Sequence, residues 1–168
     1  MKWFRKASCV VGLASVLFVV VLGGPAGSQD YPALQGVESV KAVFDIRSGD
    51  PKNVVEHLLL VSETFKDDAL RGTDSEPEFA VVFMDKSVML LSQNREGFSP
   101  EEQEMLKQAD QLMAAMTDDG VTLEVCLVAL DYYGVDADTV ADNISRVPNG
   151  WISSIGYQAR GYSLVPVY

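Results

Sequence analysis

Several groups that carry chemistry are scarce in this 168-residue sequence. It contains one histidine, His57, and of its two cysteines only Cys126 lies beyond the first 28 residues. One histidine and one cysteine do not supply the usual ligands of a zinc site, so we predict neither a metal site nor a bound cofactor. The sequence also lacks a Walker phosphate loop, a GxGxxG run after its first predicted strand, and the HExxH and GxSxG motifs. A lone histidine inside a predicted helix is more often a packed or surface residue than a ligand.

The first 28 residues have the pattern of an export signal. Basic residues open the chain, an uncharged and mostly apolar run covers residues 7–22, and Ala26-Gly27-Ser28 offers small residues of the kind that precede a cleavage site. The apolar run is at the lower end of the roughly 17–25 residues that span a bilayer as a helix, which favours a cleaved signal over the alternative, an uncleaved anchor. We therefore predict a signal peptide over residues 1–28 and an exported protein, periplasmic or secreted, with no other contact with a membrane.

Positive charge is also in short supply. The chain has 13 Lys and Arg against 24 Asp and Glu, which gives a formal net charge of −11, and loss of the three leader cations would lower it to −14. Such a surface repels phosphate backbones and anionic lipid headgroups, which argues against nucleic acid as a partner. The acidic residues are scattered rather than clustered, as on an ordinary solvated surface.

Residues 29–39 read as an exposed arm, and residues 40–168 alternate short apolar runs with helical patterns. Asp50-Pro51 and the capping box at Ser99-Pro100-Glu101-Glu102 are typical helix starts. The alternation predicts a single α/β domain, whose mostly parallel sheet of about five strands is covered by helices on both faces. We expect strands near 40–46, 78–84, 121–126, 145–147 and 162–167, helices near 51–65, 100–117, 127–133 and 151–160, and a polar loop at 66–77. A further short helix, capped by Asp136 or Asp138, is expected to end at Ile144, within 136–144.

Cys126 is the residue that this pattern singles out. It ends the third predicted strand, and open parallel sheets bind ligands beyond the carboxyl ends of their strands. We expect its sulfur near the first backbone N–H groups of the next helix, which would lower the pKa of the thiol and favour the reactive thiolate. The residues alone leave an alternative open, in which Cys126 is a buried cysteine that packs as a small hydrophobic group.

Two further features near this edge also leave alternatives open. Asn149-Gly150, before the last helix, is either an anion-binding helix start or an ordinary cap and turn, and the cap is favoured. Five aromatic residues either line a pocket near Cys126 or belong to a subunit interface and the core, and we expect interface and core. These five are Tyr132, Tyr133, Trp151, Tyr157 and Tyr162.

Three segments of the sequence are informative when they are considered together. They are Val43-Phe44-Asp45-Ile46 in the first strand, the run GVTLEVC at 120–126 followed by Gly134, and Val147-Pro148-Asn149-Gly150 leading to Gly161-Tyr162. From residue 40 to the end, the chain resembles the DsrE-like family, which includes the DsrE/DsrF and TusD sulfur-relay proteins. The resemblance implies a three-layer α/β/α Rossmann-like domain, assembly into trimers or hexamers, and a persulfide carried on Cys126, with a sulfur-carrier protein as a possible partner.

Two functions are consistent with these features. The first is an exported protein that accepts or relays sulfur as a persulfide on Cys126. The second is a non-catalytic oligomeric binding or accessory protein of the same fold, because Leu127-Val128-Ala129 stands where many exported relatives have a Gly-Asn-Thr-like segment. Bulky apolar residues there leave backbone donors less room to approach a substrate. A redox sensor that forms intermolecular disulfides is less favoured, since no resolving cysteine would remain after cleavage.

Overall fold

A computed structural model describes residues 31–168 of the chain. Residues 31–39 contain a single 3-10 turn at Pro32–Leu34 and are mostly exposed. The predicted export signal at 1–28 lies outside the described residues. Within residues 31–168, no helix is both long enough and apolar enough to cross a membrane.

Five strands form one sheet, and every pairing between neighbouring strands is parallel. The strands are β1 Lys41–Ile46, β2 Glu78–Phe83, β3 Thr122–Cys126, β4 Ser145–Val147 and β5 Ser163–Val167. Their order across the sheet is β4-β3-β2-β1-β5. The prediction of an α/β domain with a parallel sheet of about five strands is confirmed, and each strand lies within one residue of its predicted ends.

The described helices are α1 Pro51–Lys66, α2 Asp68–Arg71, α3 Pro100–Asp118, α4 Leu127–Tyr132 and α5 Gly150–Ala159. The predicted starts of the two longest helices are confirmed. The Asp50 carboxylate accepts hydrogen bonds from the backbone N–H groups of Lys52 and Asn53, and Ser99 and Glu102 form both bonds of a capping box.

Two predicted segments differ from the structure. The polar loop at 66–77 contains the short helix α2, which forms because the Asp67 side chain caps it by accepting a bond from the N–H of Ala69. The predicted helix at 136–144 is wrong: only a 3-10 turn at Ala137–Thr139 is present. The Arg146 guanidinium explains the difference, because it binds four backbone carbonyls of this segment and holds it as an irregular loop.

Helices cover the sheet on both faces. On one face α1 packs beside α3, and the ring of Phe65 in α1 lies 5.3 Å from that of Phe79 in β2. On the other face α5 crosses the sheet, where Tyr157 donates a hydrogen bond to Glu124 of β3 over 2.8 Å. Side chains alternate between the faces of a strand, so Cys126 lies on the same face as Glu124, beneath α5.

Candidate functional site

Cys126 is the last residue of β3 and the N-cap residue of α4. Its backbone is still extended, and the chain turns into the helix immediately afterwards. The side chain is packed against the start of α5, because a Cβ built on Gly150 would lie only 3.0 Å from the Cβ of Cys126. Cys126 is 5% exposed and is the one cysteine among the described residues.

The expected contact between this thiol and the start of α4 is not made as a hydrogen bond. Within residues 31–168, the side chain of Cys126 accepts no capping bond from α4, and that helix has six residues. The two apolar residues that follow take different positions: Leu127 is half-buried and packs against the core, whereas Val128 is exposed.

A cavity of about 510 Å³ lies beside Cys126 at the carboxyl edge of the sheet. Its volume is in the range of about 300–1,000 Å³ that is typical of small-molecule sites. Arg47 follows β1, Met84 and Asp85 follow β2, and Asn149 follows β4, so four adjacent strands deliver residues to one place. The cavity is lined by Arg47, Met84, Asp85, Cys126, Val128, Ala129, Tyr132, Tyr133, Asn149 and Trp151.

Arg47 brings a positive charge to the cavity, and a buried carboxylate matches it. Its Nε and Nη2 atoms donate to Oδ2 of Asp45 over 2.9 and 2.6 Å. This hydrogen bond raises the pKa of Arg47, and the charges of Asp45 and Asp85 act in the same direction. Asp45 is buried within β1, and its other oxygen, Oδ1, has no hydrogen-bond partner in the described structure.

Asp85 and Tyr133 join two walls of the cavity. Asp85 has a φ of 54°, which is an uncommon backbone conformation for a residue other than glycine. The hydroxyl of Tyr133, just beyond α4, donates a hydrogen bond to Oδ1 of Asp85. This bond raises the pKa of Tyr133 to about 12, because ionisation of the phenol would leave two negative charges in contact. The pair fixes α4 to the segment that follows β2.

Asn149 and Gly150 have structural roles at the start of α5. Oδ1 of Asn149 accepts a hydrogen bond from the N–H of Trp151 over 2.9 Å, so Asn149 caps the helix, and it also lines the cavity. Gly150 is buried, and a Cβ there would lie 2.7 Å from both Cγ and Sδ of Met84. The absence of a side chain at Gly150 therefore lets α5 approach the sheet closely over Met84 and Cys126. Anion binding at this helix start stays a prediction.

The five aromatic residues divide into two groups. Tyr132, Tyr133 and Trp151 line the cavity with Cys126, and Tyr132 and Trp151 are 80% and 64% exposed. Tyr157 and Tyr162 are buried away from it, and their rings pack edge to face with centroids 4.9 Å apart. The sequence could not separate these groups, because the distinction depends on how α4 and α5 pack beside Cys126.

Glu124 lies on the same face of β3 as Cys126, two residues earlier, and holds α5 in place. Its carboxylate accepts hydrogen bonds from the hydroxyls of Ser153 and Tyr157. Burial raises the pKa of Tyr157, and the hydrogen bond to Glu124 raises it further. Because both donors belong to α5, this carboxylate ties the helix to the sheet. The same helix begins at Gly150, which packs on Cys126.

His57 takes no part in this cavity. It lies half-buried in α1, and its Nδ1 atom has no hydrogen-bond partner in the described structure. In residues 31–168 no group of three or more histidine, cysteine, aspartate or glutamate residues is arranged to hold a metal ion.

Sequence analysis did not single out Arg47, Met84 or Asp85 as site residues. A signal for them was present, since each lies at or just after the end of a predicted strand of the parallel sheet, and such positions meet at one edge. What the sequence did not show is which strands lie next to β3. The order β4-β3-β2-β1 places the ends of β1 and β2 on the same side of Cys126.

Comparisons with known proteins agree on the fold. The model of the DsrE/DsrF-like family matches residues 15–167. Among curated proteins, none matches the chain. Of the solved structures, protein MTH1491 of unknown function from Methanobacterium thermoautotrophicum has a TM-score of 0.59 at 20% identity, covering 76% of this chain and 99% of its own. A conserved protein of unknown function from Bacteroides thetaiotaomicron, BT1422, has a TM-score of 0.55 at 14% identity, with 76% and 94% covered.

The ychN protein from E. coli has a TM-score of 0.50 at 13% identity, covering 77% of this chain and 98% of its own. At these identities the solved structures establish a shared fold. The family match rests on the sequence and spans all the described residues except the last, including Cys126.

Proposed function

The chain belongs to the DsrE/DsrF-like family, and from that membership we propose that it accepts sulfur as a persulfide on Cys126 and passes it to an acceptor. The observation that carries this proposal is the position of Cys126. It is the one cysteine in residues 31–168, and it lines a cavity built at the carboxyl ends of four parallel strands. A buried cysteine that only filled the core would not need an open cavity of about 510 Å³ beside it.

The reaction requires no oxidant. The Cys126 thiolate attacks the outer sulfur of a hydropersulfide, R–S–SH, and a new sulfur–sulfur bond forms on Cys126. The original sulfur–sulfur bond breaks, its electron pair leaves on R–S⁻, and the proton lost by Cys126 is taken up by that thiolate. The products are Cys126 hydropersulfide and R–SH, and transfer to an acceptor thiol, for example on a sulfur-carrier protein, repeats the same exchange.

Intact-mass analysis tests this proposal. After incubation with a hydropersulfide donor, the wild-type protein is expected to gain the mass of one sulfur atom, and Cys126→Ser is expected to gain none. Cys126→Ser is a suitable control, because serine is close to cysteine in size and, within residues 31–168, the Cys126 side chain makes no capping bond to α4 that the change would remove. A wild-type mass that stays unchanged with several donors would refute sulfur transfer.

A second candidate function is supported by the burial of the thiol. Within residues 31–168, Cys126 is 5% exposed, accepts no capping bond from α4, and packs against Gly150 at the start of α5. We propose as the alternative that the protein is a non-catalytic binding or accessory member of its family. In that case thiol reagents are expected to label Cys126 only after unfolding, and rapid labelling of the native protein would count against this alternative.

We also propose that the protein assembles with copies of itself into trimers or hexamers. In support, a single chain exposes the apolar side chains of Ile155 in α5 and of Leu164 and Val165 in the edge strand β5. Light scattering coupled to gel filtration measures the mass directly, and a monomer at micromolar concentration would refute the assembly.

Export is the last part of the proposal. Its support is the basic start and the apolar run of residues 1–28. Fractionation of cells followed by N-terminal sequencing is expected to find the protein outside the cytoplasm with its first residue near Gln29. An intact N-terminus on a cytoplasmic protein would show the prediction to be wrong.

A further inference from the structure

We infer that the sulfur donor of Cys126 is an organic hydropersulfide with an uncharged, apolar or aromatic body, rather than one with an anionic body. This inference rests on the proposed sulfur transfer and adds the class of donor to it. It follows from the volume of the cavity, the composition of its walls and the balance of charge around Arg47.

The walls beside Cys126 are mainly apolar and aromatic. Met84, Val128 and Ala129 contribute aliphatic and thioether surface, and Tyr132 and Trp151 contribute rings. Both rings are largely exposed, so their faces are available to a ligand. Rings of this kind bind apolar or aromatic groups through burial and stacking. The volume of about 510 Å³ leaves room for an organic body in addition to the sulfur atoms that react.

The charges of the cavity disfavour an anionic body. Arg47 is the one cation among the described residues that line it, and its guanidinium already binds the buried carboxylate of Asp45 through two donors. Asp85 adds a carboxylate to the wall without a cation bound to it in the described structure. The formal sum of these three groups is negative, so a carboxylate or sulfonate on the donor would meet repulsion that Arg47 does not offset.

The chemical step is the exchange described above. Cys126 takes the outer sulfur of the donor, the donor's sulfur–sulfur bond breaks, and the released thiol R–SH keeps the organic body. The reacting atoms are therefore the same for every hydropersulfide. Selectivity between two donors with the same reactive group must come from contacts of the body with the cavity walls.

Two donors that differ in one substituent test the inference. The hydropersulfides of para-methylbenzyl thiol and para-carboxybenzyl thiol have the same reactive group and nearly the same size, and only the second carries a charge on its body. The rate at which Cys126 gains one sulfur is measured by mass with each donor at equal concentration. We expect the methyl compound to react at least about tenfold faster, because its methyl group buries apolar surface against the Trp151 side of the cavity, whereas a carboxylate there must lose hydration.

Variants in α5 assign the preference to the cavity. Trp151→Ala is expected to reduce the ratio of the two rates severalfold, and Trp151→Phe is expected to restore most of it, because a ring is retained. Ile152→Ala is the matched control: Ile152 is the next residue of the helix, is equally exposed, and does not line the cavity, so its ratio should equal that of the wild type. Circular dichroism confirms that each variant is folded.

The outcomes separate this inference from the function on which it rests. Sulfur added at the same rate from both donors, or faster from the carboxylate, would overturn the inference and leave sulfur transfer on Cys126 standing. A preference for the methyl compound that Trp151→Ala does not change would also overturn it, because the walls would not be its source. No added sulfur from either donor would refute the proposed function together with the inference.

Discussion

Substitution of Gly150 by alanine tests how α5 is placed over Cys126. The new Cβ would lie 2.7 Å from Cγ and Sδ of Met84 and 3.0 Å from Cβ of Cys126, all of them closer than ordinary van der Waals contact. Met84 is 3% exposed, and Cys126 lies at the end of a strand, so neither can move away freely. Alanine at Gly156, in the same helix, is the matched control, because its Cβ would meet nothing within 4 Å.

The two variants should change stability in opposite directions. Overpacking of a well-packed site costs about 1–3 kcal/mol. Alanine in place of glycine recovers up to about 1 kcal/mol within a helix, and less at its first residue, where Gly150 stands. We therefore expect Gly150→Ala to lower the free energy of unfolding by about 1–2 kcal/mol and Gly156→Ala to raise it by about 0.5–1 kcal/mol.

Urea titration followed by circular dichroism measures both values, and thermal melts should separate the two midpoints by about 5–10 °C. The comparison is informative because both changes add the same methyl group to the same helix. A Gly150→Ala protein as stable as Gly156→Ala would refute the reasoning, since it would mean that α5 does not pack closely on Met84 and Cys126.

Two further predictions concern single contacts. Asp85→Asn should lower the pKa of Tyr133 from about 12 towards the ordinary value near 10, as read from the ultraviolet absorbance of the phenolate; an unchanged titration would contradict the contact. The raised pKa also means that this contact stabilises the fold fully below about pH 10 and that its contribution is lost as the pH rises through about 12. Ser99→Ala removes one bond of the capping box with Glu102 and should cost about 1 kcal/mol in urea unfolding, whereas a loss near zero would show that the cap is not formed in solution.

The elements that sequence analysis located correctly are those whose signals are local. The capping box at Ser99 and the Asp50-Pro51 start need only a few neighbouring residues, and both helices begin where these patterns predicted. The helix predicted at 136–144 failed for a non-local reason. Arg146, in the next strand, binds the carbonyl groups that such a helix would have used.

In the candidate site too, the features with a local sequence signal were predicted and those that depend on distant contacts were not. The sequence identified Cys126 and placed it at a strand end before a helix, as the structure has it. It did not identify Arg47, Met84 or Asp85, because their nearness to Cys126 depends on the order of the strands. Nor did it show that the first residue of α5, Gly150, would pack closely on Cys126 and Met84.

The sequence by itself determined the fold class, the ends of the strands and main helices, and the one cysteine of the domain, because hydrophobic period, capping residues and composition act over short distances along the chain. Only the tertiary structure decided what surrounds that cysteine. The cavity is made by residues at the ends of four different strands and by the start of a helix that crosses the sheet. These segments are distant in sequence, and their contacts are determined by packing and by the order of the strands. No local sequence pattern contains that information.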